Sequence, residues 1–126
     1  MNCPCGSAKP FAECCEPFLN GKKDPPTPEA LMRSRYTAYT LGHLDYIEKT
    51  MRGDALKRFH RKEAEESVKN TEWLKLDVLF SEEEGEEGTV QFIATFRIGG
   101  EEHLMHEISS FEKVRGKWYY TKGILS

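Results

Sequence analysis

An α+β fold is what this sequence predicts: a cone-shaped, curved antiparallel sheet covered on one face by N-terminal helices, with a small metal-held knuckle ahead of both. Three observations carry that expectation. Apolar residues recur with a period near 3.6 up to about residue 70 and with a period of 2 after it. The later apolar runs are separated by Gly-bearing turn signals. All four cysteines fall within the first fifteen of 126 residues. A chain of this length buries about two-thirds of its unfolded surface around a single core, so helices and sheet have to share one.

The knuckle comes first. The spacing Cys3-x-Cys5, eight residues, Cys14-Cys15 lets a short loop reverse and present four thiolates to one ion, and four thiolates suit tetrahedral zinc. Pro4 stiffens the first pair and Gly6 allows a tight turn. Ser7 is expected to cap a short helix over residues 8–15, which Pro17 would stop. Two disulfides are the alternative. Adjacent cysteines rarely bridge each other, and the expected compartment is reducing. Four protein thiolates leave no open position for water or substrate, so the zinc is expected to be structural.

The linker "KKDPP" at 22–26 precedes a clear helix start. Thr27 serves as N-cap, Pro28 takes the first helical position and Glu29 favours the positive end of the dipole. This helix should run from Pro28 to Leu41 and end at Gly42. Leu31, Met32, Tyr36, Ala38 and Tyr39 share one arc with Arg35 at its centre, while Arg33 points elsewhere. A second helix is expected over 44–51, and a surface helix, or helix plus turn, over 55–69. Trp73 to Phe80 then alternates, with Leu74, Leu76, Val78 and Phe80 facing inward. "SEEEGEEG" at 81–88 reads as a solvated loop. Val90, Phe92, Ala94, Phe96 and Ile98 form the inward face of the next strand. Gly99-Gly100 turns into a third strand over 103–114, and Arg115-Gly116 into a fourth over 117–125.

Composition excludes several functions. Eighteen Lys and Arg against twenty-one Asp and Glu give a net charge of −3, so nucleic acid is not an expected partner. No apolar run approaches the ~20 residues that span a bilayer, and the N-terminus lacks the basic and apolar regions of a signal peptide. A cytoplasmic protein without a membrane partner is expected.

"CPCGS" followed by "ECC" resembles the SEC-C motif, the small zinc module at the C-terminal end of the preprotein translocase SecA. The resemblance implies a structural zinc on Cys3, Cys5, Cys14 and Cys15, and in the translocase the module docks the chaperone SecB. Here Lys9, Lys22 and Lys23 are cancelled by Glu13, Glu16 and Asp24, which suits an acidic partner less well than a Lys-rich module would. "LMRSRYTAYTLGHLDYI" at 31–47 and "HEISSFEKVRGKWYYTKG" at 106–123 resemble the YchJ family. That family pairs SEC-C motifs with a nuclear-transport-factor-2-like (cystatin-like) domain. The resemblance assigns residues 1–20 to the zinc motif and 27–126 to that domain. Many members carry a second SEC-C motif at the C-terminal end, and none stands before Ser126.

Two function classes follow. The first is a non-catalytic binding or adaptor protein that meets a protein partner through the zinc motif. The second is a small-molecule enzyme of isomerase or dehydratase type, with a ligand in the cone and zinc only structural. The fold hosts both kinds, so it does not choose between them. Glu107, flanked on its strand face by Met105 and Phe111, is expected to enter the cone and pair with Arg35, with Tyr36 or Tyr120 completing the hydrogen bonds. A carboxylate beside a guanidinium has its pKa lowered, the wrong direction for a general base, so a structural pair is the expectation and no catalytic residue is assigned. An Asp45–histidine dyad across the cone is the remaining catalytic arrangement. Trp73, Trp118, Tyr119 and Tyr120 read as sheet-packing aromatics. Dimerisation through the outer sheet face at Gln91, Ile93, Thr95 and Arg97 is compatible with the pattern.

Overall fold

The helix that opens at Thr27 organises the molecule. In the computed structural model, which describes residues 2–125, the Thr27 hydroxyl accepts from the Ala30 amide at 3.0 Å, and the helix runs Pro28–Leu41. It closes on Gly42 at φ 77°, a left-handed conformation that glycine adopts without steric cost. In chain order the helices are α1 (Glu16–Leu19), α2 (Pro28–Leu41), α3 (Leu44–Lys49), α4 (Gly53–Lys57) and α5 (Arg61–Asn70). The strands β1 (Glu72–Glu84), β2 (Glu87–Ile98), β3 (Glu101–Val114) and β4 (Lys117–Leu125) form one antiparallel meander in the order β1-β2-β3-β4. No described helix is long and apolar enough to cross a membrane.

Leu31, Met32, Tyr36 and Ala38 of α2 pack onto Leu76, Val90, Phe92, Ala94, Phe111 and Trp118 of the sheet. From α3, buried Leu44, Tyr46 and Ile47 close one end, and the Tyr46 hydroxyl meets Ser34 Oγ at 2.6 Å. The chain after α3 is tied to β4 by the Tyr120 amide donating to Thr50 O at 2.8 Å and the Arg52 amide donating to Tyr120 O at 3.0 Å. Gln91, Ile93, Thr95 and Arg97 alternate with the buried Val90, Phe92 and Ala94, and so lie on the sheet face turned away from the helices.

Several expectations are corrected. Residues 8–15 do not form a helix. Ala8 sits at φ 68°, outside the helical region, and only Phe11–Glu13 make a 3₁₀ turn. Pro17 opens α1 rather than ending a helix, since its missing N–H costs nothing in a first turn. The expected surface helix over 55–69 divides into α4 and α5. The inward set of β1 is also different. Register shifts between Trp73 and Lys75 and between Val78 and Phe80 mark bulges at Leu74 and Leu79. Trp73 and Leu76 therefore face the core, while Leu74 and Phe80 are exposed. The acidic segment is mostly strand. β1 and β2 stay paired to Glu84↔Glu87, because ladder hydrogen bonds hold backbone whose exposed side chains need no burial. Ile98, expected inside, is 43% exposed where the sheet outruns the helices.

Candidate functional site

The cysteine loop is built by local hydrogen bonds. Asn2 and Pro10 bridge antiparallel, the Cys3 amide donates to Lys9 O at 2.8 Å, and the Cys14 amide donates to Phe11 O at 3.1 Å. These bring the four Sγ atoms within 4.8 Å of one another. Cys5 and Cys14 sulfurs are 3.6 Å apart, and those of Cys14 and Cys15 4.0 Å. A tetrahedron of metal–sulfur bonds of about 2.3 Å has edges of about 3.8 Å, so the cluster fits a four-thiolate ion. All four cysteines are free, with sulfur separations far beyond the ~2.05 Å of a disulfide. A hydrogen bond from Cys15 holds the Cys5 thiol down to about 4 against burial, with Ser7 and Cys14 assisting. Cys15 is pushed up by the same bond and by burial, and Cys14 is raised by burial first. The thiol protons would leave as an ion binds.

The far face of α2 holds this loop. The fully buried Thr37 donates its hydroxyl to Cys15 Sγ at 3.4 Å and stands 3.7 Å from Cys3 Sγ. Arg33 donates from Nη1 to Cys5 O at 2.7 Å and from Nε to Glu29 at 2.9 Å. Glu29, Arg33 and Thr37 recur every fourth residue, a stripe the sequence displays but whose partner it does not. Cys3, Cys5 and Cys15 consequently share the buried cluster of the sheet and helices. The loop is built into the domain rather than hung from it.

On the opposite face of α2, Arg35, Tyr36, Glu107 and Tyr120 line one cavity of about 350 Å³ inside the cone. The expected direct ion pair is not formed. Arg35 donates from Nη1 to Ile47 O at 2.8 Å and to Thr50 Oγ1 at 2.6 Å, and its guanidinium lies 4.7 Å from the Tyr120 ring centroid. Tyr120 stands between the two charges. Its hydroxyl donates to Glu107 Oε2 at 2.9 Å, and Ser109 donates to the same oxygen. Of the two expected tyrosines it is thus Tyr120 that bonds the carboxylate, and Tyr36 instead meets Trp73 edge to face at 5.7 Å. Burial lowers the Arg35 pKa, yet a guanidinium stays charged. Burial raises Tyr36 to about 12, and burial, then the Glu107 charge, raises Tyr120 from its ordinary value.

Of the residues proposed for a dyad, Asp45 pairs with Arg61 at 2.9 Å on the surface. His106 bonds Gln91 at 2.7 Å, and His103 stacks on Phe96 at 5.5 Å. His60 lies in a second, outer cleft of about 420 Å³ beneath α4 and α5.

A family model described as YchJ, middle NTF2-like domain, matches residues 27–123, and the SEC-C motif model matches residues 2–17. A UPF0225 protein of Serratia proteamaculans is 44% identical over 125 residues, covering 96% of this chain and 81% of that protein. One from Geobacter sulfurreducens is 42% identical over 124 residues, covering 96% and 77%. The solution structure of a SEC-C motif containing protein from Rhodopseudomonas palustris superposes with a TM-score of 0.93 at 44% identity, covering 100% of this chain and 99% of that one. The crystal structure of another, from Psychrobacter arcticus, gives 0.84 at 26% identity, covering 100% and 83%.

Proposed function

Because the chain belongs to the YchJ (UPF0225) family, with a SEC-C motif followed by the family's NTF2-like domain, we propose that it is a non-catalytic, zinc-dependent adaptor acting in the cytoplasm. In this reading Cys3, Cys5, Cys14 and Cys15 hold one structural Zn²⁺, and the exposed side of the motif meets a protein partner. The observation that carries it is the closed sulfur cluster. Four thiolates within 4.8 Å, backed by Thr37, leave an ion no vacant position for a substrate. The ion would fix the loop, and the loop then presents a rigid polar surface. That surface carries Lys9, Glu13 and Glu16, all exposed.

The test has two steps. Elemental analysis of the purified protein should give about one zinc per chain. Affinity capture should then compare the unaltered protein with a Lys9→Ala, Glu13→Ala, Glu16→Ala variant of equal zinc content. Partners held by the first and lost by the second support the adaptor. An identical set with both proteins overturns it.

A further inference from the structure

The cone cavity carries recognition chemistry that the metal centre does not use. Its walls are aromatic and thioether surfaces, chiefly Tyr36, Trp73, Phe92 and Phe111 with Met32 and Met105. About 350 Å³ is within the range of small-ligand sites, which run from about 300 to 1,000 Å³. Polar atoms without protein partners open into this apolar space. Arg35, 7% exposed, uses only Nη1 in hydrogen bonds, leaving Nε and Nη2. Glu107 uses only Oε2, leaving Oε1. Such free edges bordering apolar walls are placed to bond the polar end of whatever enters.

Charge narrows what can enter. Tyr120 keeps the guanidinium and the carboxylate from closing on each other, so one buried cation and one half-buried anion each present an unused edge to the same space. The two charges cancel. A ligand that is only an anion or only a cation would leave a net charge in the largely apolar cavity, whereas a neutral or zwitterionic one would not. We infer that the cone binds a net-neutral aromatic small molecule, one end of which offers a hydrogen-bond donor to Glu107 and an acceptor to Arg35. Its ring lies against the aromatic wall. The outer cleft shares Tyr39, Met51, Ser67 and Tyr120 with the cavity, so the two spaces adjoin.

The experiment titrates the isotope-labelled, zinc-loaded protein with four probes followed by amide chemical shifts. Benzamide and L-phenylalanine are net neutral with a donor and an acceptor. Phenylacetate carries only the anion and phenethylamine only the cation. At least one neutral probe should bind about tenfold or more tightly than both charged ones, with shifts confined to residues around the cavity. Glu107→Gln keeps an acceptor for Tyr120 and Ser109 but leaves the cavity with a net positive charge, so phenylacetate should overtake the neutral probes. The inference is overturned if a singly charged probe binds the unaltered protein as well as the neutral ones do. It is equally overturned if no probe shifts cavity residues at millimolar concentration. The ranking on the unaltered protein decides the matter even where the variant does not fold.

Discussion

Thr37 is the residue that couples the metal loop to the rest of the chain. Its hydroxyl donates to Cys15 Sγ at 3.4 Å from a fully buried position. Donors of this kind stabilise thiolate charge and orient the ligand, and removing such an outer contact commonly costs ten- to a hundredfold in metal affinity, about the range expected for Thr37→Val. Competition with a chromophoric chelator measures it. Valine keeps the volume, so thermal unfolding of the zinc-loaded variant should stay close to that of the unaltered protein. Equal zinc affinity in the two would remove Thr37 from the site. In the cone, Gly123 has the corresponding status. A Cβ there would stand 2.6 Å from Glu107 Oε2 and collide with the Tyr120 hydroxyl. Gly123→Ala should therefore destabilise by about 1–3 kcal/mol, the usual cost of overpacking. Urea unfolding checks it, and an unchanged midpoint would mean that Tyr120 and Glu107 move aside freely.

Among the elements, what was legible in the sequence is what local chemistry decides. Thr27, Pro28 and Gly42 fix both ends of α2 without help from any distant residue, and the observed bounds are those expected. The clustering of the four cysteines was legible for the same reason, because the reversal from Cys5 to Cys14 is short. What was not legible depended on partners far along the chain. The bulges at Leu74 and Leu79 re-phase β1 against β2, and no run of alternating residues announces them. The acidic stretch reads as loop by composition, yet its backbone is held by pairing that composition does not encode. Arg35 and Glu107 line one space, but the ring of Tyr120, on the strand tied to Thr50, stands between them. The stripe Glu29, Arg33, Thr37 carried no expectation beyond Arg33 pointing away from the apolar arc, because a helix with two buried faces shows two stripes, and only the apolar one is conspicuous.

At the scale of the whole molecule, α2 is the shared wall between the metal centre and the cone. Arg33 and Thr37 face the cysteines, and Arg35 and Tyr36 face the cavity. Cys3, Cys5 and Cys15 are as buried as the sheet core they adjoin. An ion held there would stabilise the entire fold, since anything that binds only the folded state does so by mass action. The sheet and helices nevertheless have a core of their own, so chelation should not unfold the chain at ambient temperature as it does an isolated zinc finger. It should lower stability by about 2–4 kcal/mol, or roughly 10 °C in midpoint for a chain of this size, and unfolding should remain a single cooperative transition. Calorimetry with and without chelator under reducing conditions makes the comparison. Hydrogen exchange should show the amides of residues 33–40 losing protection once the metal is gone, because their far side is then uncovered. Two separate transitions, with the larger unmoved by chelation, would show that the metal loop and the cone do not share a core.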